Sequence, residues 1–439
     1  MVERFLAPHE AAIAAAGVRL VLHSEVVGEL DEEVLSRALA RLVACYPLLA
    51  GTITAGDEQG RQLVRTGQSG PGPVLGHGAD LNEEINAPLT WERGPLLRVT
   101  VLREPDRPGR ARVVMTLPRA FADAMSYQAL HQRLWALYAD LSAGRQVSAD
   151  PVQPVLGPAL DDVLAARFSP RQLRDFVAER ARLDIQSPPA LLPAPASRNG
   201  GPGSDPSFRV IGIEADADRC ERLVQCARDA SLTVNALVSG ILLTSLRTLF
   251  PARGPVRLLC TTAVDMRRRL SPPMPAEVLQ SAATTTSIRL MVDDHAHPVE
   301  AGRDLDTRLR ADLESGAAAM ELAAFPYMLD QHPPSLVITN VGTIAEPILP
   351  DGLRIADVRL APLGHVPMVF AVVSRYRSRL AIDLTYSRAW YTDTQIDEVA
   401  RTVRAALHDP RAWQPRPTMR AARDAVTSAT AVRTDLPTT

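Results

Sequence analysis

The segment SPPALLPAPASRNGGPGSDP, residues 187–206, divides the chain into two halves. Proline, glycine, serine and alanine dominate this segment and large apolar residues are few, which is typical of an exposed linker rather than a buried element. Helical and strand patterns are mixed on both sides of it. Because 439 residues also exceed what one compact core usually holds, we expect two mixed domains.

The patterns predict an α/β (α+β) fold and four regions along the chain. These are an N-terminal subdomain at 1–150, a helical segment with the linker at 151–206, a C-terminal subdomain at 207–408 and a tail at 409–439. A helix is predicted over 124–142, because apolar residues recur there at spacings of three and four. The tail is polar and poor in large apolar residues, so we expect it to be loosely packed or disordered.

The basic residues exclude several enzyme classes. All 48 of them are arginines, because the chain contains no lysine. Phosphate-binding Walker lysines, Schiff-base lysines and lysine general bases are therefore excluded. The sequence also lacks GxSxG, HExxH and a GxGxxG that opens a helix after a strand. The net charge of −2 gives no electrostatic reason to expect nucleic acid or an anionic membrane as a partner.

The cysteines and the apolar runs indicate an ordinary intracellular protein. Cys45, Cys220, Cys226 and Cys260 show no CxxC spacing and lie in apolar or helical contexts, so we expect buried thiols without disulfides or zinc. No apolar run reaches the length of a membrane span, and MVERFLAPHE lacks the apolar core of a signal peptide. We expect a cytoplasmic monomer.

The segment RVVMTLPRAFADAM, which starts at residue 112, has the pattern of an active-site loop. An apolar strand ends at Pro118-Arg119, and Asp123 directly precedes the predicted helix. Neither proline nor arginine accepts a proton at neutral pH, so the strand end carries no general base. Asp123 has the position of an N-cap for the helix that begins at Ala124.

Motifs in both halves resemble one enzyme family. They are CYPLLAG, GPLLRVTVL and the strand–loop–helix with Asp123, followed by LTVNALVSGILLTSLRTL, TTAVDMRRRLSPP and LRADLESG. In this order they resemble the polyketide-associated, phthiocerol dimycocerosyl transferase-like acyltransferases, in the superfamily of chloramphenicol acetyltransferase and peptide-synthetase condensation domains. The resemblance covers about residues 8–408. It implies two chloramphenicol-acetyltransferase-like subdomains in a V-shaped pseudo-dimer with a tunnel between them.

The catalytic motif of the family is degenerate in this chain. The family carries HHxxxDG at a strand end, and its second histidine is the general base for acyl transfer from a thioester. The corresponding residues 118–124 read PRAFADA, so Asp123 alone is retained and Arg119 takes the position of the base. Arginine donates hydrogen bonds and stabilises negative charge, but it stays protonated. Loss of a general base typically lowers a rate by ~10²–10⁴.

The resemblance also implies roles for individual residues. Asp123 is expected to pair with Arg310 of LRADLESG across the domain junction. Arg119 is expected either to line the tunnel as a donor to a substrate carbonyl, to be held by a structural carboxylate, or to be solvated. His365 in PLGHVPMVF is the best alternative base, although it also fits a plain loop histidine. His131 lies about two helical turns beyond the loop, too far for a direct replacement.

Further candidates have weaker support. Phe121, Tyr127 and Thr285 are candidates for substrate binding, although Tyr127 lies on the core-facing stripe of its helix and Thr285 also suits a plain strand. Asp265 and Arg267 are expected to form a structural ion pair at a strand end. The DDHAHP segment with two histidines is typical of an exposed turn, so no metal site is expected.

Three functions remain open at this point. The first is a base-independent, cycloaddition-type cyclisation of a polyketide-like substrate in the tunnel, with Arg119 polarising a carbonyl. The second is O- or N-acyl transfer from a coenzyme A or acyl-carrier-protein thioester with a relocated base such as His365. The third is a non-catalytic partner of a carrier protein or another enzyme. We favour the first, because Asp123 is retained while both histidines are absent, and we expect no cofactor.

Overall fold

The computed structural model describes residues 2–57, 61–66, 72–103, 106–148, 150–192, 205–328 and 332–414. Most of the predicted linker and most of the predicted tail lie outside the described residues.

The secondary structure alternates between strands and helices throughout. The strands are β1 Val2–Phe5, β2 Arg19–Val27, β3 Thr52–Ala55, β4 Gln62–Thr66, β5 Leu75–Gly78, β6 Arg98–Leu102, β7 Arg110–Pro118, β8 Phe208–Ala215, β9 Val256–Asp265, β10 Ala283–Val292, β11 Leu336–Ile344, β12 Arg354–Leu363, β13 Phe370–Tyr376 and β14 Arg379–Ser387. The helices are α1 Pro8–Ala15, α2 Glu32–Cys45, α3 Leu81–Asn86, α4 Ala124–Ser142, α5 Leu160–Ala165, α6 Pro170–Gln186, α7 Ala217–Asp229, α8 Val234–Arg247, α9 Pro298–Ser315, α10 Ala317–Ala323 and α11 Asp393–His408.

The first half is built around a sheet whose order is β12-β2-β7-β6-β5 within the described residues. Strand β7 is central and pairs antiparallel with β2 and β6, so its carboxyl end is fixed on both sides. Apolar residues of α2 and α4 join those of β2 and β7 in one core. The predicted helix 124–142 is present as α4, and its apolar stripe lies in this core.

The second half is built around a sheet of order β10-β9-β11-β13-β14-β8 in the described part of the chain. Its core combines this sheet with apolar residues of α7, α8 and α11. Helix α8 approaches α9 so closely that a Cβ added to Gly240 would lie 1.9 Å from the carbonyl oxygen of Pro298. A glycine is therefore required where these helices meet.

Strand β12 belongs to the second half of the sequence but to the sheet of the first half. It pairs antiparallel with β2, with a bulge between Ile355 and Asp357. The sequence patterns did not predict this strand, because its polar residues and Pro362 interrupt the apolar run. Proline is tolerated there since β12 is an edge strand, whose outer groups need no partner in the sheet. The second half thus completes the first-half sheet, and the loop after β12 reaches the junction of the halves.

Two further predictions can be compared with this architecture. All four cysteines are free and buried, as predicted. Among the described helices, none is by itself long and apolar enough to span a membrane. Helices α7 and α8 reach that length and apolar composition only when taken together, and the chain bends by 101° between them.

Candidate active site

A cavity of about 450 Å³ lies between the two halves and is the candidate site. Helix α1 and the turn after β7 line it from the first half, and β9, β10, α10 and the loops flanking β11 and β13 line it from the second. Most of the lining is apolar, and the polar residues include His9, Arg119, Thr261, Thr285, Ser287 and Glu321. Such a lining suits a largely apolar molecule with a few polar groups.

Arg119 lies in the short turn that follows β7. Its backbone N–H donates to the carbonyl of Val18 at 3.0 Å, which fixes the turn against the start of β2. Its Nη1 donates to the carbonyl of Ala122 at 3.1 Å and to Oγ of Ser281 at 2.5 Å. Among the described residues, no carboxylate lies within ion-pair distance of this guanidinium. Its remaining N–H groups are therefore available to a molecule in the cavity.

The charge of Arg119 persists although its surroundings oppose it. Burial lowers the pKa of its guanidinium from the ordinary arginine value, and the carboxylate of Asp123 acts in the opposite direction. Arginine is nevertheless not deprotonated in proteins. The cavity wall therefore carries a permanent cation.

Asp123 connects the two halves. Its Oδ2 accepts from Nη2 of Arg267 at 3.0 Å and from the backbone N–H of Ala282 at 2.7 Å, both in the second half. Its Oδ1 accepts from the backbone N–H groups of Met125 and Ser126 at 3.0 and 2.9 Å. The carboxylate thus caps α4, as predicted, and holds the junction at the same time.

The predicted pairing of Asp123 with Arg310 is wrong. Arg310 lies on α9 with its side chain 62% exposed, and it pairs with Asp306 one turn earlier. Arg267 forms the pair with Asp123 instead, because the turn after β9 directs its side chain into the junction. The predicted ion pair between Asp265 and Arg267 is also wrong. The carboxylate of Asp265 accepts a hydrogen bond from the backbone N–H of Arg267 at 3.0 Å, and not from its guanidinium.

Of the three residues predicted to bind substrate, only Thr285 lines the cavity. Phe121 and Tyr127 are 0% exposed and belong to the first-half core, so the prediction for these two is contradicted. The turn that places Arg119 at the cavity directs Phe121 into the core, and α4 directs Tyr127 into the same core. A substrate contact by Thr285 stays a prediction.

The predicted replacement base is not at the site. His365 lies on the loop between β12 and β13, outside the cavity lining, and its ring packs against Phe208 at a centroid distance of 4.6 Å. Desolvation and the nearby Arg19 lower its pKa. The expectation that His365 borders the tunnel is therefore wrong, because the loop turns its imidazole towards the start of β8.

The sequence patterns missed His9, which does line the cavity. It lies in the first turn of α1, where its backbone N–H donates to Oδ2 of Asp161 at 2.9 Å and its ring meets Phe325 edge-on. Burial, and secondarily the charge of Arg119, lower its pKa to about 3, so its imidazole is neutral at physiological pH. Its only sequence signal is one aromatic polar residue at the start of an alanine-rich helix.

The sequence patterns also missed a polar chain on the opposite wall. Register pairs Thr261 of β9 with Ser287 of β10, and their hydroxyl oxygens lie 3.0 Å apart. Oγ of Ser287 donates to Oε1 of Glu321 at 2.8 Å, and Oε2 of Glu321 pairs with Arg180. Glu321 is 6% exposed, and burial raises its pKa against the effect of Arg180. These residues meet only in the tertiary structure.

Comparison with known proteins matches part of the second half to a family model and most of the chain to a named relative. Residues 204–385 match the family model for the C-terminus of phthiocerol/phthiodiolone dimycocerosyl transferase. The chain is 24% identical to the transferase of that name from Mycobacterium sp. (strain JLS), over 81% of this chain and 85% of that protein. It is 27% identical to the AMB antimetabolite synthetase AmbE of Pseudomonas aeruginosa over 50% of its own length, but it spans only 10% of AmbE.

Solved structures share the fold. Polyketide synthase associated protein 5 from Mycobacterium tuberculosis superposes with a TM-score of 0.71 at 19% identity, covering 92% of this chain and 98% of that one. The first condensation domain of the calcium-dependent antibiotic synthetase superposes with a TM-score of 0.69 at 18% identity, covering 93% and 97%. These likenesses confirm the predicted α/β (α+β) fold with two sheet-rich subdomains.

Proposed function

We propose that this chain cyclises a polyketide-like substrate. The proposal starts from its similarity to the phthiocerol dimycocerosyl transferases and from the fold it shares with acyltransferases and condensation domains. The enzyme would thus act in natural-product biosynthesis. One observation carries the proposal: Arg119 is anchored through one nitrogen and lines an apolar cavity. The family resemblance assigns the catalytic base to this position.

The chemistry follows from this anchoring. A fixed cation in a desolvated site stabilises the negative charge that develops on a carbonyl oxygen, and removal of one such donor costs about 10²–10³ in rate. An apolar cavity of this size folds a chain-like substrate on itself, which brings its reacting carbons together. Ring closure of this kind requires no proton acceptor at the position of Arg119.

Acyl transfer is the second candidate, because the relatives across most of the chain are named transferases. The substrate would then be a coenzyme A or acyl-carrier-protein thioester, and Arg119 would stabilise the oxyanion of its tetrahedral intermediate. Since His365 lies outside the cavity, the base would have to come from elsewhere in the site or from the substrate. Action in the cytoplasm as a monomer stays a prediction.

One assay distinguishes the candidates. The protein is incubated with the N-acetylcysteamine thioester of a linear α,β-unsaturated acid that carries a conjugated diene further along its chain, with and without octanol. The products are followed by chromatography with mass spectrometry, which separates isomers, and by a thiol reagent. Cyclisation gives an isomer of unchanged mass, whereas acyl transfer releases thiol only when octanol is present. Absence of both products would favour the non-catalytic role.

Two variants connect the assay to the site. Arg119→Ala should lower product formation by about 10²–10³. Arg268→Ala removes an exposed arginine outside the cavity and should leave the rate unchanged. Equal rates in the two variants would contradict the proposed function.

A further inference from the structure

The hydrogen bonds between Thr261, Ser287 and Glu321 have a defined direction. An ionised carboxylate only accepts hydrogen bonds, so Ser287 must donate its single hydroxyl proton to Glu321. The oxygen of Ser287 is then left to accept from the hydroxyl of Thr261 at 3.0 Å. Thr261 in turn has used its own proton, and its oxygen is an acceptor on the wall of the cavity.

The surroundings of Glu321 suit a group that receives a proton. Three groups act on its carboxylate: Arg180 of α6 and Ser287 of β10 bond to it, and Asp312 of α9 acts through its charge. Arg180 favours the ionised form, in which the carboxylate is able to accept a proton. Burial and Asp312 raise the pKa of Glu321, which increases its affinity for a proton above that of an exposed glutamate.

We propose that Glu321, acting through Ser287 and Thr261, is the proton acceptor of the cavity. The substrate class is then one that presents a hydroxyl group to Thr261 while its carbonyl lies at Arg119. This inference rests on the proposed function for the placement of the carbonyl. It moves the proton acceptor from the first-half loop, where the family carries histidine, to the second-half wall.

The step balances for ring closure onto an α,β-unsaturated ketone. The hydroxyl oxygen forms a bond to the β-carbon, and the electron pair of the double bond moves to the carbonyl oxygen at Arg119. The hydroxyl proton passes to Thr261 while the proton of Thr261 passes to Ser287 and that of Ser287 to Glu321. The α-carbon then takes a proton from water and Glu321 returns one to solvent, so the product is an isomer of the substrate.

The proposal is tested with an α,β-unsaturated hexyl ketone that carries a hydroxyl on the fourth carbon beyond the double bond. Ring closure gives a tetrahydropyran, which chromatography separates from the starting isomer. Glu321→Gln, Ser287→Ala and Thr261→Val should each lower kcat by about 10²–10⁴ with little change in KM. The wild-type pH profile should have an acidic limb from Glu321, and Glu321→Asp should restore part of the rate.

Two control variants separate loss of the relay from loss of packing. Asp184→Asn removes the partner of Arg289 on the same α6–β10 contact but outside the cavity lining. Thr262→Val replaces a buried hydroxyl that neighbours Thr261 on β9 and does not line the cavity. Both should leave kcat within about twofold. Comparable losses in the controls and the relay variants would overturn the proposal.

A binding measurement separates failure of the relay from failure of the proposed function. Calorimetry with nonanol and with nonyl methyl ether compares a ligand that donates to Thr261 with one that does not. The wild type should bind the alcohol about fivefold or more tightly than the ether, and Thr261→Val should remove this preference. Absence of the preference in the wild type would overturn the relay.

The two readouts fail separately. If the wild type closes the ring and loses this activity with Arg119→Ala, but retains it in all three relay variants, the proposed function stands and the relay is overturned. If the wild type prefers the alcohol through Thr261 but forms no cyclic isomer from this ketone or from the thioester, the hydroxyl-binding role of Thr261 stands and the proposed function is overturned.

Discussion

Arg119 and Asp123 lie in the same turn, yet the structure uses their charges differently. Both carboxylate oxygens of Asp123 accept hydrogen bonds, from α4 on one side and from the second half on the other, and the residue is 2% exposed. Arg119 uses one nitrogen of its guanidinium, and the side chain lines the cavity. A charge with all its hydrogen bonds satisfied maintains the fold, whereas a charge with free donors is available to a substrate.

The hydrogen bonds of Asp123 show how this carboxylate holds the two halves together. Asp123 contacts Arg267 after β9 and Ala282 before β10, so it fixes the first-half turn to the sheet that forms the opposite wall. Arg119 adds one contact across the same junction, from its Nη1 to Oγ of Ser281 at 2.5 Å, and its side chain also lines the cavity.

The largest expected effect is on stability, from Asp123→Ala. This change leaves the guanidinium of Arg267, which is 2% exposed, without its ionic partner and removes the N-cap of α4. Breaking a buried ion pair on one side typically costs about 3–5 kcal/mol in the free energy of unfolding. Urea unfolding of the wild type and the variant measures the difference.

Arg310→Ala is the matched control for that prediction. The pair of Arg310 with Asp306 is exposed and lies within one helix, so its loss should change the free energy of unfolding by about 0.5 kcal/mol or less. A loss as large as that of Asp123→Ala would instead support a bridge between Asp123 and Arg310.

Arg119→Ala tests the other member of the comparison. Product formation should fall by about 10²–10³, because a donor to the developing oxyanion is removed, while stability should change by about 1 kcal/mol. Arg119→Lys should recover only part of the rate, since an ammonium lacks the planar set of donors. The assay is isomer formation at saturating substrate, with urea unfolding in parallel. A variant that keeps full activity would reduce Arg119 to a structural residue.

The sequence was sufficient for local features and insufficient for tertiary pairings. The periodicity of α4 and the cap at Asp123 follow from neighbouring residues, and both are present. The partner of Asp123 was missed because Arg267 and Arg310 are both plausible partners in the sequence. They differ in the direction of their side chains, which only the tertiary structure determines. His9 was missed because its place in the cavity depends on contacts of α1 with the other half.

Strand β12 shows the same limit for the fold itself. Its residues alternate poorly and include a proline, so nothing local predicts a strand. It forms because β2 offers an unpaired edge, to which its backbone bonds antiparallel. The pairing of two segments so far apart in sequence depends on the arrangement of the halves, which local patterns do not contain.

His131 is a buried imidazole that is uncharged in the folded protein, in contrast to Arg119 and Asp123. It is 0% exposed, its Nε2 accepts from the indole N–H of Trp135 at 2.9 Å, and burial lowers its pKa to about 3. Between that value and about 6.5 the unfolded chain binds a proton that the folded chain does not. Stability should therefore be lost as the pH falls through this window, by up to about 1.4 kcal/mol per pH unit for this residue.

Urea unfolding between about pH 4.5 and pH 7 measures this slope, since it covers most of the window. His131→Gln removes the titrating group, so the slope should become shallower by the contribution of one proton, whatever the variant costs at neutral pH. His9 and His23, whose pKa values burial also lowers to about 3, keep the rest of the slope. An unchanged slope would contradict a buried, neutral His131.

A small effect on activity is expected for His365→Ala. The imidazole lies outside the cavity lining and packs on Phe208, so its removal should leave kcat within about twofold and cost about 1 kcal/mol or less of stability. Product formation and urea unfolding of this variant are measured beside those of Arg119→Ala. A loss of activity comparable to that of Arg119→Ala would place a base on the loop after β12 and favour acyl transfer. It would also contradict the assignment of the cation to Arg119 and of the proton acceptor to Glu321 on the opposite wall.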